Sequence, residues 1–279
     1  MNNLSIFGGT GFVLSNYIKK FGGILHPRNE DISTTNEILY GISTVDNYNI
    51  YTNPHLDINT NLTKLMNVLT SNYAKYKSDF TFNFLSSWFV YGNPQSLPVS
   101  ENANCNPKGF YSATKFCAET LLETYCKTFN IPYRIMRLAN VLGVGDTKAS
   151  LKKNAFQYII KMLSQNEKIS IYDVGSIRDF IWIEDCVSAI NLCINSTQTL
   201  NKVINIGNGI PINVKERIYS VADRLKRQSL ITEIPVPKFH KDIQAQNFYM
   251  DISFLKSLGY RQKVEITEME NILIKNYGI

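Results

Sequence analysis

At 279 residues, 44% hydrophobic and 19% charged, the chain is long enough to bury a large core and has the composition of an ordinary globular protein. No apolar run reaches the ~18 residues that a membrane span needs, and the N-terminal region lacks the basic segment and cleavage site of an export signal, so a cytoplasmic protein without a membrane partner is expected. The net charge of +6 comes from dispersed basic residues, with no run longer than Lys19-Lys20 or Lys152-Lys153, which argues against a nucleic-acid surface and suits a small polyanionic ligand.

The first element is a short apolar run, Leu4 to Phe7, followed at once by Gly8-Gly9-Thr10-Gly11. Val13, Leu14, Tyr17, Ile18 and Phe21 then recur at helical spacing. Strand, glycine turn and helix form a setting in which main-chain N–H groups and a helix N-terminus hold a pyrophosphate. An ordinary tight turn is the plainer alternative. The turn's position before the chain's first helix favours dinucleotide binding.

Asp57 to Thr60 lead into a helix carrying Leu62, Leu65, Met66 and Leu69, a stripe that faces either the sheet or a partner. Phe80 to Leu85 is a strand ending in Ser86-Ser87. The next helix begins near Tyr111 and is expected to bury Ala118, Leu121, Leu122 and Tyr125, and Tyr133 to Leu138 is the following strand. Residues 144–176 read as loop, helix (Phe156, Ile159, Ile160, Leu163) and short strand. A helix over 183–195, a strand from Val203 to Ile206 and a proline-bearing remainder (Pro211, Pro235, Pro237) complete the chain. No linker or repeat divides it, and the first half alternates strand and helix as a parallel sheet does.

Five cysteines and three scattered histidines show no metal-ligand spacing, so no metal is expected. Cys117, Cys126, Cys186 and Cys193 fall in helix-like patterns and read as buried thiols.

Tyr111-Ser112-Ala113-Thr114-Lys115 carries the chemistry. Tyrosine and lysine four apart on a helix share one face, and a nearby cation favours phenolate over phenol, making Tyr111 a usable proton donor or acceptor near neutrality. Tyr73 and Lys77 have the same spacing, so context must choose between the pairs.

That context is a set of segments in one order: Gly8 to Val13, Ser86-Ser87-Trp88-Phe89-Val90-Tyr91-Gly92, Tyr111 to Lys115, Arg137 to Gly143, Arg178 to Asp185, Asn205 to Gly209, and Asp251 to Tyr260. Nearly end to end they resemble the extended short-chain dehydrogenase/reductases, in the NAD-dependent epimerase/dehydratase group that modifies nucleotide-sugars. The resemblance implies a Rossmann-type doubly wound parallel sheet with a smaller C-terminal substrate lobe. Residues 1–143 and 177–208 would form the dinucleotide-binding domain, and 144–176 with 209–279 the substrate lobe. A homodimer through the helices near 62–77 and 111–129 is implied as well.

The same resemblance implies the roles. Tyr111 exchanges a proton with the sugar oxygen, Ser87 hydrogen-bonds that oxygen, and Lys115 holds the nicotinamide ribose; Ser86 is the nearest alternative to Ser87. Gly8, Thr10, Gly11, Phe12 and Val13 surround the cofactor pyrophosphate. Trp88, Asn140 and Arg178 line the substrate site, Arg178 contacting the diphosphate unless it merely pairs with Asp179. Dehydratases of the group carry an Asp-Glu pair where this chain has Trp88-Phe89, which excludes elimination chemistry. Reduction of a nucleotide-linked 4-keto-6-deoxyhexose, for surface polysaccharides such as O-antigen, is the favoured activity. An NAD-dependent epimerase is the alternative, and a non-catalytic NADP(H)-sensing regulator is a second class. Arg28, after the second strand, suits the 2′-phosphate of NADP(H) over NAD(H), although Glu30 and Asp31 stand close by.

The chain departs from the family pattern twice. The third glycine is Leu14, which should push the first helix outward. The stretch Leu25 to Asp57 should hold the second to fourth strands but reads poorly as strand.

Overall fold

The computed structural model describes residues 3–45, 47–243 and 247–278. Strands β1 (Ser5–Phe7), β2 (Ile24–His26), β3 (Glu37–Tyr40), β4 (Thr81–Ser87), β5 (Tyr133–Leu138) and the strand Lys202–Ile206 make a six-stranded sheet. Its order is Lys202–Ile206, β5, β4, β3, β1, β2, and every pair is parallel. Helices α1 (Phe12–Phe21), α2 (Pro54–Ile58), α3 (Lys64–Tyr76) and α4 (Phe110–Thr128) connect the strands. The chain winds one way from β1 to β2 and then crosses back to place β3 on the other side of β1. The order thus reverses between β1 and β3, and ligands of open α/β sheets bind at the carboxyl ends of strands at such a point.

Side-chain alternation divides the sheet into two cores. Ile6, Leu39, Leu85 and Met136 face α1 and the helix Ile183–Ile194, whereas Phe7, Ile38, Tyr40, Phe82, Phe84 and Ile135 face α3 and α4. The apolar stripe on α3 is resolved the same way: Leu65 and Leu69 are fully buried in the second core, with Leu62 and Met66 packed against it. Tyr125 is half-buried as expected of that face, but Leu121 is 38% exposed, because it lies on the outward side of α4. Cys117 is exposed on that side too, contrary to its expected burial, while Cys126, Cys186 and Cys193 are buried.

Only two strands lie in the stretch where three were expected. Residues 27–36 pass from β2 to β3 without a strand or helix, leaving β2 at the sheet edge. Buried Asn72 of α3 stands in for the missing ladder: its amide donates to Asp31 O at 2.8 Å, and its Oδ1 accepts from Ser33 N at 2.9 Å and from Ser33 Oγ at 2.6 Å. At the amino ends of the strands, away from the crevice, Arg134 donates to Asn83 Oδ1 at 2.8 Å and pairs with Glu37 at 3.3 Å.

The remaining strands pair two by two: Asn140–Leu142 with Phe180–Trp182, Ile169–Tyr172 with Ile231–Ile234, and Ile177–Arg178 with Ile212–Asn213. No helix among the described residues is long and apolar enough to cross a membrane.

Candidate active site

The carboxyl ends of β1, β3, β4 and β5 open into a cleft of about 870 Å³. One end begins at the glycine turn. Gly8 has φ 91°, and a Cβ there would lie 2.8 Å from Ile42 N, so only glycine allows the turn to hug the loop after β3. Gly11 N–H donates to Gly8 O at 3.0 Å and Gly11 is the N-cap of α1, where no side chain caps the helix and no acid occupies its first turn. The first N–H groups of α1 are thus uncapped by any side chain at a helix end that favours anions, a cradle that fits a pyrophosphate. Gly8, Thr10, Gly11, Phe12 and Val13 all line the cleft.

Leu14 packs against Gly41, the residue that follows β3. It is 1% exposed, and a Cβ added to Gly41 would come within 2.6 Å of its Cδ1. The glycine absent from α1 is matched by one at the end of β3, and the space is exchanged between neighbours.

Ser87, Tyr111 and Lys115 line the same cleft. Ser87 ends β4, and its Oγ accepts from Phe89 N at 3.3 Å, so its own hydrogen is available to donate elsewhere. Tyr111 lies in the first turn of α4, which is held at its start by Gly109 N–H donating to Ser112 Oγ at 2.9 Å and Ser112 Oγ donating back to Gly109 O at 2.8 Å. Lys115 is 2% exposed; its Nζ donates to Leu85 O at 2.8 Å and lies 4.0 Å from the Phe84 ring centroid. Burial pushes its pKa down to about 7, opposed by the Glu119 carboxylate. Tyr73, the competing tyrosine, instead packs on Phe129 at 4.5 Å, and Lys77 falls past the helix end at φ 57°.

Ser86 lines the cleft too, but its hydroxyl is already committed. Its Oγ donates to Glu119, whose carboxylate binds Arg137 at 2.7 Å, and the guanidinium stacks 4.5 Å over Tyr91. Ser86 therefore ties β4 to α4 through its hydroxyl, whereas the Ser87 hydroxyl still has a hydrogen to donate.

Trp88, Asn140 and Arg178 reach the cleft as well. Asn140 Nδ2 donates to Asp179 O at 3.0 Å. Arg178 does not pair with Asp179. The buried Asp179 carboxylate accepts from Asn208 N, Gly209 N and Met250 N at 3.0–3.1 Å, and burial pushes its pKa up to about 6 against those bonds. Arg178 sits half-buried with its guanidinium 5.4 Å over Trp88, and burial pushes its pKa down to about 10.

Arg28 lies apart from the cleft lining, exposed on the loop after β2, where it donates to Thr60 Oγ1 at 3.3 Å. Its acidic neighbours are both engaged: Glu30 with His26 Nδ1 at 2.9 Å, and Asp31 with Lys64.

Cleft residues and residues that brace them escaped the sequence reading. Tyr48 OH and His240 Nε2 hydrogen-bond at 2.8 Å, and the His240 ring packs 5.1 Å from Tyr172; no local pattern links positions 192 apart. Asn61, 2% exposed, bonds Thr44 and Thr114 and ties the loop after β3 to α4. Glu119 did carry a signal, since it stands one helical turn beyond Lys115. No group of His, Cys, Asp or Glu among the described residues is arranged to hold a metal.

The family model that matches the chain, over residues 38–207, is that of the NAD-dependent epimerase/dehydratase family. A Methanocaldococcus jannaschii protein provisionally named a UDP-glucose 4-epimerase is 26% identical over 231 residues, 83% of this chain and 73% of its own. An Escherichia coli dTDP-4-dehydro-6-deoxyglucose reductase is 28% identical over 192 residues, 67% of this chain and 58% of its own. Among solved structures, UDP-glucose 4-epimerase from Thermotoga maritima with UDP-glucose superposes with a TM-score of 0.85 at 20% identity, covering 99% of this chain and 98% of that one. RMD from Pseudomonas aeruginosa with NADPH gives 0.83 at 17% identity, covering 99% and 97%. At these identities the structural likeness concerns the fold.

Proposed function

The chain belongs to the NAD-dependent epimerase/dehydratase family, and from that premise we propose that it reduces a nucleotide-linked 4-keto-6-deoxyhexose with NADPH. The observation that carries this reading is the convergence of Ser87, Tyr111 and Lys115 on one cleft with the glycine turn at its other end. When bound, the pyridine nucleotide supplies the hydride. Tyr111 donates its proton to the carbonyl oxygen as that oxygen gains charge, Ser87 hydrogen-bonds the same oxygen, and the Lys115 ammonium favours the resulting phenolate. Gly8, Thr10, Gly11, Phe12 and Val13 hold the pyrophosphate of the cofactor, Lys115 its ribose, and Asn140 and Arg178 the substrate, with the diphosphate on Arg178. In this reading residues 1–143 and 177–208 bind the cofactor, and 144–176 with 209–279 bind the sugar nucleotide.

Arg28 is assigned to the 2′-phosphate. What supports this is that Glu30 and Asp31 are each engaged with a basic partner, so neither competes as a free acid for a ribose 2′-OH. A homodimer through α3 and α4 belongs to the same proposal; its support is that the outward line of α4, from Ala113 through Cys117, Thr120 and Leu121 to Thr124, carries no charge.

Epimerisation is the second reading, favoured by the name of the M. jannaschii relative. Following NADPH absorbance with CDP-, dTDP-, GDP- and UDP-linked 4-keto sugars separates the two. A reductase consumes NADPH stoichiometrically; an epimerase interconverts sugars with retained NAD and no net consumption.

A further inference from the structure

Between the proton-donating and guanidinium ends of the cleft stand two aromatic rings. The Phe89 ring meets Tyr111 edge-on at 6.2 Å and stacks on Trp88 at 4.1 Å. Trp88 is backed by Phe248 at 4.5 Å and faces the Arg178 guanidinium at 5.4 Å. Trp88 is 3% exposed and fixed in this stack, whereas Phe89 is half-buried and lines the cleft. Both belong to the tight turn Trp88–Tyr91 that Ser87 caps through Phe89 N–H, so the ring follows rigidly from the residue beside the reacting oxygen.

We propose that Phe89, braced by Trp88 and Phe248, is the specificity-determining wall that selects a hexose bearing a methyl group in place of a hydroxymethyl beside the carbonyl carbon. This deepens the ketoreductase reading and rests on it. A sugar reaching from Tyr111 to Arg178 passes over these rings, and the benzyl group of Phe89 has neither donor nor acceptor to offer. A methyl group packs there at no polar cost, while a hydroxyl loses water without a replacement partner. An apolar wall rejects an added hydroxyl by roughly ten- to hundredfold.

The test uses 6-deoxyglucose and glucose, each carried on CDP, dTDP, GDP and UDP, with dissociation constants measured calorimetrically on NADP-loaded protein. The wild type is expected to bind the 6-deoxy member of its preferred pair about ten- to hundredfold tighter. Phe89→Ser, which supplies a hydroxyl and space, should bring the ratio to within about threefold, while Phe89→Leu, still apolar, should retain most of it. A wild-type ratio near one, or a ratio that Phe89→Ser leaves unchanged, overturns the proposal. NADPH turnover of the matching 4-keto-6-deoxy sugar is followed separately. If the ratio responds to Phe89 and no NADPH is consumed, the ketoreductase reading fails and the wall stands; failure to bind any of the four pairs removes both.

Discussion

Tyr111 and Tyr73 stand in the same local pattern, and their surroundings differ completely. Tyr111 lines the cleft beside buried Lys115, whereas Tyr73 is packed on Phe129 and is not among the cleft's lining residues. Tyr111→Phe should lower turnover by about two to four orders of magnitude with the fold retained, and Tyr73→Phe should leave turnover nearly unchanged; steady-state kinetics on both variants checks this. Arg28 donates to one neutral partner, Thr60. A charge-assisted bond to a 2′-phosphate is worth ~1.5–3 kcal/mol. NADPH is therefore expected to bind roughly ten- to hundredfold tighter than NADH, and Arg28→Ala should erase most of that difference without weakening NADH, as fluorescence titration would read. Lys115 gives a pH signature. Its folded pKa, lowered to about 7, lies below the value near 10.4 of an unfolded lysine. Between these limits the unfolded chain holds the extra proton, so this group's contribution to stability rises with pH across the window and is lost as pH falls to 7. Thermal unfolding of cofactor-free protein should show that slope between pH 7 and 9.5, and Lys115→Met should flatten it.

At the scale of elements, α1 and β3 exchange space at one point. A leucine occupies the helix position where the family has glycine, and Gly41 ends the neighbouring strand with nothing where Leu14 lies. Restoring a side chain at Gly41 without changing Leu14 overfills the contact, which costs about 1–3 kcal/mol. Gly41→Ala should therefore be destabilising by that amount in urea unfolding, and clearly less so in a Leu14→Ala background, since the two residues share one space. If the two penalties simply add, the exchange is not the reason α1 sits where it does. The loop from β2 to β3 shows a related substitution of means: Asn72 supplies from α3 the hydrogen bonds that an added strand would have made.

Across the whole molecule, the charge distribution and the cleft suit an anionic ligand with two anchoring ends, the α1 N-terminus and Arg178. The outward faces of α3 and α4 carry little charge, with Asn67, Thr70, Ala74 and Lys75 on one and Ala113, Cys117, Thr120 and Leu121 on the other. In the proposed dimer these two helices would pair with their copies as a four-helix bundle. Light scattering at micromolar concentration should return twice the chain mass, and Leu121→Lys should shift it to the monomer. A wild-type protein of single-chain mass would remove the dimer.

Local patterns alone determined much of this protein. Glycine spacing, strand-length apolar runs and the Tyr111–Lys115 turn are short-range features, written where they act, so strands β1, β4 and β5, helix α4 and the meeting of Ser87, Tyr111 and Lys115 at one cleft were legible in the chain. The stripe Leu62 to Leu69 announced a buried face without saying what covered it; packing against Phe82 and Phe84 decided that. Other features depended on partners distant in sequence. The space that Leu14 fills is left open by Gly41, 27 positions away. Asp179 is claimed by main-chain N–H groups near 208 and 250 rather than by its neighbour Arg178. The family resemblance called for three strands between 25 and 57 where the sequence itself read poorly as strand, and the chain makes two, with Asn72 bonding polar groups of the intervening loop. A chain records its own propensities position by position, but who fills a space or satisfies a buried polar group is fixed only when distant segments meet.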